Sequence, residues 1–170
     1  QLKMKNTIYK IKKTVCGWGT VLLLLFIFNF ISCSENDCSL GGRPSVRFSF
    51  MNSKTHAIVN LFDSLTVTAL DTDSILLNRG KGINHITLPL SYVNEETTFV
   101  LHYSRFLRDT IWVKHENYPH FISMDCGISM FYTLKEVQYT TYLLDSITLV
   151  NPDINDNEKD NYHIYYTPDN

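Results

Sequence analysis

Ser45–Phe50, SVRFSF, sets Val46, Phe48 and Phe50 on one side of an extended chain and Arg47 and Ser49 on the other. An extended backbone alternates its side chains face to face, so this period of two marks a strand with one dry and one wet side. The pattern recurs downstream. Leu65, Val67 and Ala69 alternate with Thr66 and Thr68, and Ile86, Leu88 and Leu90 follow, then Phe99, Leu101 and Tyr103, then Ile111 and Val113. Turn-forming clusters separate them: MNSK at 51, DTD at 71, RGKG at 79, NEE at 94 and NYP at 117. Val137–Val150 is rich in threonine, tyrosine and β-branched residues, which favour strand. Leu143-Leu144-Asp145 breaks its alternation and predicts a bulge or two strands meeting there. Asn151–Asp160, NPDINDNEKD, reads as a polar loop and Tyr162–Tyr166 as a closing strand. No helical period of a dozen residues occurs after Cys33. The expected fold is all-β, an antiparallel β-sandwich of roughly eight to ten strands, with a closed barrel as the alternative. An immunoglobulin-type core is not expected, because Met124 stands where a tyrosine would precede the second cysteine.

Upstream lies VLLLLFIFNFISC at 21–33, preceded by Lys3, Lys5, Lys10, Lys12 and Lys13. A basic head, a short apolar run and a small terminal residue make a secretory signal peptide. Gly17–Ile31 as a helix reaches only ~22 Å, short of a bilayer core of ~30 Å, and Asn29 interrupts it, which disfavours a retained span. Ser32 before Cys33 resembles the lipobox of bacterial lipoproteins, although Phe30 stands where leucine is usual. Such peptides are cut before a cysteine whose sulfur carries a diacylglyceryl group. The resemblance implies that residues 1–32 are removed, that Cys33 is the lipidation site, and that 33–44 is a lipidated tether. The domain then runs over 45–167, with 168–170 as a tail. Two or more acyl chains hold a protein stably, at about 0.8 kcal/mol per buried methylene. Ordinary secretion, with Cys33 unmodified, is the competing reading. Glu35 and Asp37 resemble the acidic signal for surface transfer in Bacteroidota lipoproteins, which implies an outer-membrane address, on the periplasmic or the cell-surface side. The chain opens on Gln1, so Met4 is a candidate start, or the sequence is a piece of a longer one.

Removal of 1–32 changes the charge. The whole chain carries −2, but five lysines and no acid leave, so 138 residues remain with 10 Lys+Arg against 17 Asp+Glu, a net −7. Such a surface repels nucleic acid, which is not an expected partner. Of four cysteines, Cys16 leaves with the signal and Cys33 takes lipid, so Cys38 and Cys126 remain as a pair in an oxidising compartment. A disulfide between them closes an 89-residue loop, worth about 4 to 5 kcal/mol by chain entropy. The other reading, a catalytic thiol at Cys126, needs an unpaired sulfur and a nearby base.

Chemical motifs are sparse. Asp153–Glu158 offers alternating oxygens suited to calcium, but Glu158 stands where an EF-hand loop needs glycine, so a solvated acidic turn is preferred. Histidines at 56, 85, 102, 115, 120 and 163 form no HExxH or other tight ligand pair, and no metal and no cofactor are expected. His115 and His120 flank a turn and could meet a metal across it, but surface histidines are the default expectation. Asp125, Cys126 and Ser129 lie close together, yet no GxSxG or SxxK motif accompanies them. Gly80-Lys81-Gly82 lacks the spacing of a phosphate-cradling loop and reads as a hairpin turn. Trp112 and Tyr165 fall off the apolar phase of their strands; a second buried sheet face is the preferred account, and the alternative is a candidate binding surface for a glycan or an envelope protein.

DSLTV at 63, TTFVLHY at 97, PHFIS at 119, CGISMF at 126 and DSITLVNP at 145 resemble segments of a Bacteroidota lipoprotein family of unknown function. The resemblance implies a lipoprotein with one β-rich domain and brings no activity or catalytic residue with it. The expectation is a membrane-anchored envelope lipoprotein, not an enzyme, acting as a non-catalytic binding or scaffolding module. A small envelope hydrolase or metal-dependent enzyme would instead gather several of His102, His115, His120 and Asp125 in a cleft. A structural subunit would show a large apolar patch or an open sheet edge.

Overall fold

The strict alternation of Val46, Phe48 and Phe50 has a simple cause: all three are fully buried between two sheets. The computed structural model describes residues 43–61, 64–70, 74–155 and 159–168. The signal stretch, the lipobox with Cys33, Cys38, the DTD turn at 71 and part of the acidic 153–158 loop lie outside the described residues.

Ten strands are described: β1 (Ser45–Asn52), β2 (Leu65–Ala69), β3 (Ile75–Gly80), β4 (His85–Pro89), β5 (Glu96–His102), β6 (Arg108–Ser123), β7 (Gly127–Tyr139), β8 (Leu144–Leu149), β9 (Asp153–Ile154) and β10 (Tyr162–Tyr166). One sheet has the order β4-β1-β10-β8, the other β3-β2-β5-β6-β7-β9. Their inner faces share one core. Phe48 of β1 meets Phe99 of β5 edge-to-face at 6.2 Å and stacks on Tyr162 of β10 at 5.2 Å. Aromatic pairs in these geometries add about 0.5–1.5 kcal/mol each beyond the area they bury.

The fold is the expected β-sandwich with one departure. β1 and β10 pair in parallel, whereas every other strand pair is antiparallel. Phe48 and its partner Tyr162 stand 114 positions apart, and a parallel neighbour always requires such a crossover. Asn161 locks that return: its Oδ1 accepts from Arg47 N at 3.0 Å, and its Nδ2 donates to Asn151 O and Asp153 O.

Three turn assignments differ from expectation. NYP at 117 lies inside β6, because His115 and Asn117 are held by side-chain hydrogen bonds and Pro119 sits where the strand has no outer neighbour to lose. Gly80-Lys81-Gly82 is no hairpin: it carries the chain from β3 in one sheet to β4 in the other, with Gly82 at φ +60°. The 151–160 loop contains β9, whose Ile154 is buried against β7. In Val137–Val150, by contrast, β7 ends at Tyr139 and β8 begins at Leu144, two strands meeting as the broken alternation predicts.

The β7–β8 step changes sheets, and a buried carboxylate holds it. Asp109 of β6, fully buried, accepts from Thr140 Oγ1 (2.6 Å), Tyr142 N (2.8 Å), Leu143 N (2.9 Å) and Leu144 N (3.2 Å). Four donors saturate both oxygens, which is the condition for keeping a charge inside. Asp109 also adds to the burial that raises the pKa of the nearby Tyr103 hydroxyl.

Candidate functional site at the projecting end of the sandwich

Two long strands define this site. β5 pairs with β6 only as far as Lys114, and β9 pairs with β7 only at Tyr132 and Thr133. Beyond these points Tyr118–Ser123 and Gly127–Phe131 pair only with each other among the described residues, forming a two-stranded arm. Its tip is a three-residue loop, Met124-Asp125-Cys126. There Cys126 N donates to Ser123 Oγ at 3.1 Å, and Gly127 takes φ +72°, the left-handed position that such hairpins require.

At the root of the arm a histidine network fixes the loop between β4 and β5. His115 is 2% exposed, with its ring edge-on to Tyr132 at 5.3 Å. Asn117 Nδ2 donates to Ser91 O (3.1 Å) and Asn94 O (3.2 Å), so its Oδ1 is the acceptor facing His115 Nδ1 at 2.6 Å. His115 Nδ1 therefore carries the proton. In the neutral ring Nε2 is then an acceptor, and it takes the Thr97 hydroxyl at 2.8 Å. Thr97 Oγ1 in turn accepts from Ser91 N at 2.9 Å. Burial lowers the pKa of His115, against the smaller opposing pulls of Asn117, Glu95 and Glu96. The outcome is a neutral histidine used as a rigid spacer.

In front of this network lies a cleft of about 360 Å³. Leu76 and Leu90 make its apolar side, Ser74 and Asn94 bring a hydroxyl and an amide, and Thr97 and Thr98 complete the lining. Arg43 and Glu96 bring one charge of each sign, and Tyr92 stands at its rim. The Arg43 guanidinium lies 5.1 Å from the Tyr92 ring centroid, and Tyr92 packs on Tyr132 at 6.4 Å. Tyr132 hydroxyl is buried without a partner, and burial, helped by Tyr92, pushes it up to about 12. The chain thus enters the domain beside the arm root.

The residues singled out from sequence are dispersed. His102 Nε2 bonds Thr68 Oγ1 at 3.1 Å across β2 and β5. His115 faces the core, His120 stacks on Phe131 at 4.5 Å along the arm, and Asp125 and Cys126 are at the arm tip, with Ser129 on β7 opposite His120. The cleft is lined by none of His102, His115, His120 and Asp125, and among the described residues no three His, Cys, Asp or Glu side chains could hold a metal. Trp112, between the buried Ile111 and Val113, points outward from one sheet. Tyr165, between the buried Ile164 and Tyr166, points outward from the other, against His56 at 5.4 Å. They lie on opposite outer faces and do not make one surface. Cys33 and Cys38 lie outside the described residues.

Sequence reasoning passed over Arg43, Tyr92, Glu96, Thr97 and Asn117. The available signal was the polar stretch Asn94–Thr98, which runs from the β4–β5 connection into β5.

No curated protein and no solved structure matches the chain. Residues 64–166, from the residue before β2 to the last of β10, match the family of unknown function DUF6452, and the chain belongs to that family.

Proposed function

We propose that the chain is an exported lipoprotein of Bacteroidota type, held at the outer membrane by acyl chains on Cys33. Its sandwich acts there as a non-catalytic binding module. The anchoring half of this reading rests on the basic head, apolar run and Ser32-Cys33 junction. The Cys38–Cys126 bridge belongs to it, joining the tether to the arm tip. The observation that carries the binding half is the cleft itself. An aromatic rim, an apolar side and convergent hydroxyl, amide and carboxylate groups match the needs of a sugar ring or a short polar peptide. Its backing is stiff, since the His115 network ties Ser91, Asn94 and Thr97 to β6. Stiff walls reduce the ordering cost of binding. A panel of envelope oligosaccharides and peptides, read by ligand-observed NMR, tests this. Binding that Tyr92→Ala and Glu96→Gln abolish is expected, and binding unaffected by both would refute it. A second reading, a structural subunit of an envelope complex, is favoured by the arm, whose two edges pair with no other strand among the described residues.

A further inference from the structure

The inward phase of the larger sheet runs on past the sandwich. Ile111, Val113 and His115 of β6 are buried, and two-residue steps along the same face lead through Asn117 and Pro119 to Phe121. On β7, buried Leu134 and Tyr132 lead through Met130 to Ile128. Phe121 and Ile128 are directly opposite each other and are 57% and 70% exposed, while Met124 at the tip is 90% exposed. Tyr118–Met130, YPHFISMDCGISM, holds one acid and no lysine or arginine. A nearly uncharged apolar projection on a mature chain of net −7 is not built for water.

What covers it follows from where the tether leaves. Arg43 lies over Tyr92, which packs on Tyr132, and Tyr132 pairs with Asn117 at the arm root. Cys33 is ten residues before Arg43, a reach of at most ~36 Å. From Asn117 to Asp125 the arm itself extends ~25 Å in the same region. A bridge from Cys38 to Cys126 would leave only five residues, at most ~18 Å, between the lipid and the arm tip. The tether is thus long enough for the Cys33 lipid to lie level with the arm tip.

We propose that the arm tip, with Phe121, Met124 and Ile128, inserts into the interfacial zone of the bilayer that holds the Cys33 lipid. This makes a second, apolar contact that orients the cleft above the membrane. It rests on the lipoprotein reading given above. The acidic remainder of the mature chain suits a zwitterionic rather than an anionic headgroup layer.

The test uses the full chain, processed in a bacterial host and reconstituted in phosphatidylethanolamine–phosphatidylcholine vesicles. Intact mass first establishes whether Cys33 is acylated. Once the signal is gone Trp112 is the lone tryptophan, so Phe121→Trp with Trp112→Phe puts a single reporter on the arm. Interfacial segments sit about 5–10 Å into the headgroup and acyl boundary, where phospholipids brominated high on the acyl chain should lower emission about twofold. Trp112 in the otherwise unaltered chain should not be quenched. Acylated protein with an unquenched arm reporter overturns the inference and leaves the anchor standing. An arm reporter blue-shifted but unquenched, together with cross-linking between two copies at the arm, also overturns it, because a second chain is then the cover. A chain without acyl groups overturns both readings.

Discussion

Replacing Asp109 with alanine deletes one side chain and unties four donors. Thr140 hydroxyl can rotate toward another acceptor, and the exposed Tyr142 backbone can take up water. Leu143 and Leu144 N–H groups have poorer options, and Leu144 is fully inside the core. A stranded buried donor costs about 1–3 kcal/mol, and loss of a charge-assisted bond about 1.5–3, so the substitution should destabilise the fold by ~3–5 kcal/mol. Asp109→Asn keeps one carbonyl oxygen but turns an amide N–H₂ toward backbone donors, so it should still cost about 2 kcal/mol or more. Urea unfolding of residues 33–170 carrying Cys33→Ser reads the effect directly. With a slope of about 1–3 kcal/mol/M, the midpoint should fall by ~1 M or more for alanine at unchanged slope. The exposed pair Lys114–Glu136 is the control, since Glu136→Gln should leave the midpoint where it was. An alanine variant losing less than ~1 kcal/mol would refute the argument, because it would mean that water replaces the carboxylate and the crossing between sheets holds itself.

The remaining expectations concern the arm and its root. His115 has a folded-state pKa below its unfolded value, so the unfolded chain binds more protons across that interval and stability must rise with pH. Unfolding midpoints should therefore drop as pH falls below about 6.5, and His115→Asn should flatten that dependence. Asn117→Asp places a carboxylate against two carbonyls, Ser91 O and Asn94 O, and beside the imidazole. It should raise the His115 titration midpoint by NMR and weaken any ligand of the cleft. If Cys38 and Cys126 are joined as proposed, reduction or Cys126→Ser should cost about 4–5 kcal/mol by loop entropy, and two free thiols in air-purified protein would contradict the pairing.

The sandwich is legible because short strands with one dry face keep a period of two, as in Leu65–Ala69 and His85–Pro89. β3 is not, because Ile75–Gly80 is an edge strand with no fully buried residue. At the arm root Asn117-Tyr118-Pro119 carries a turn signal, since asparagine and proline are turn formers by local propensity. Here the local signal is overridden by a side-chain network built from Ser91, Thr97 and His115, residues that only the folded chain brings together. The cleft was illegible for the same reason: Arg43, Ser74 and Glu96 share no local pattern. Trp112 and Tyr165 were correctly placed off the apolar phase, but phase within a strand says nothing about which sheet the strand joins.

Radiolabelled palmitate fed to cells expressing the intact chain tests the anchor most directly. The account predicts label on the mature polypeptide, lost in Cys33→Ser, with Cys33 as the first residue of the processed chain. An unlabelled polypeptide, or a mature terminus at another position, would contradict it.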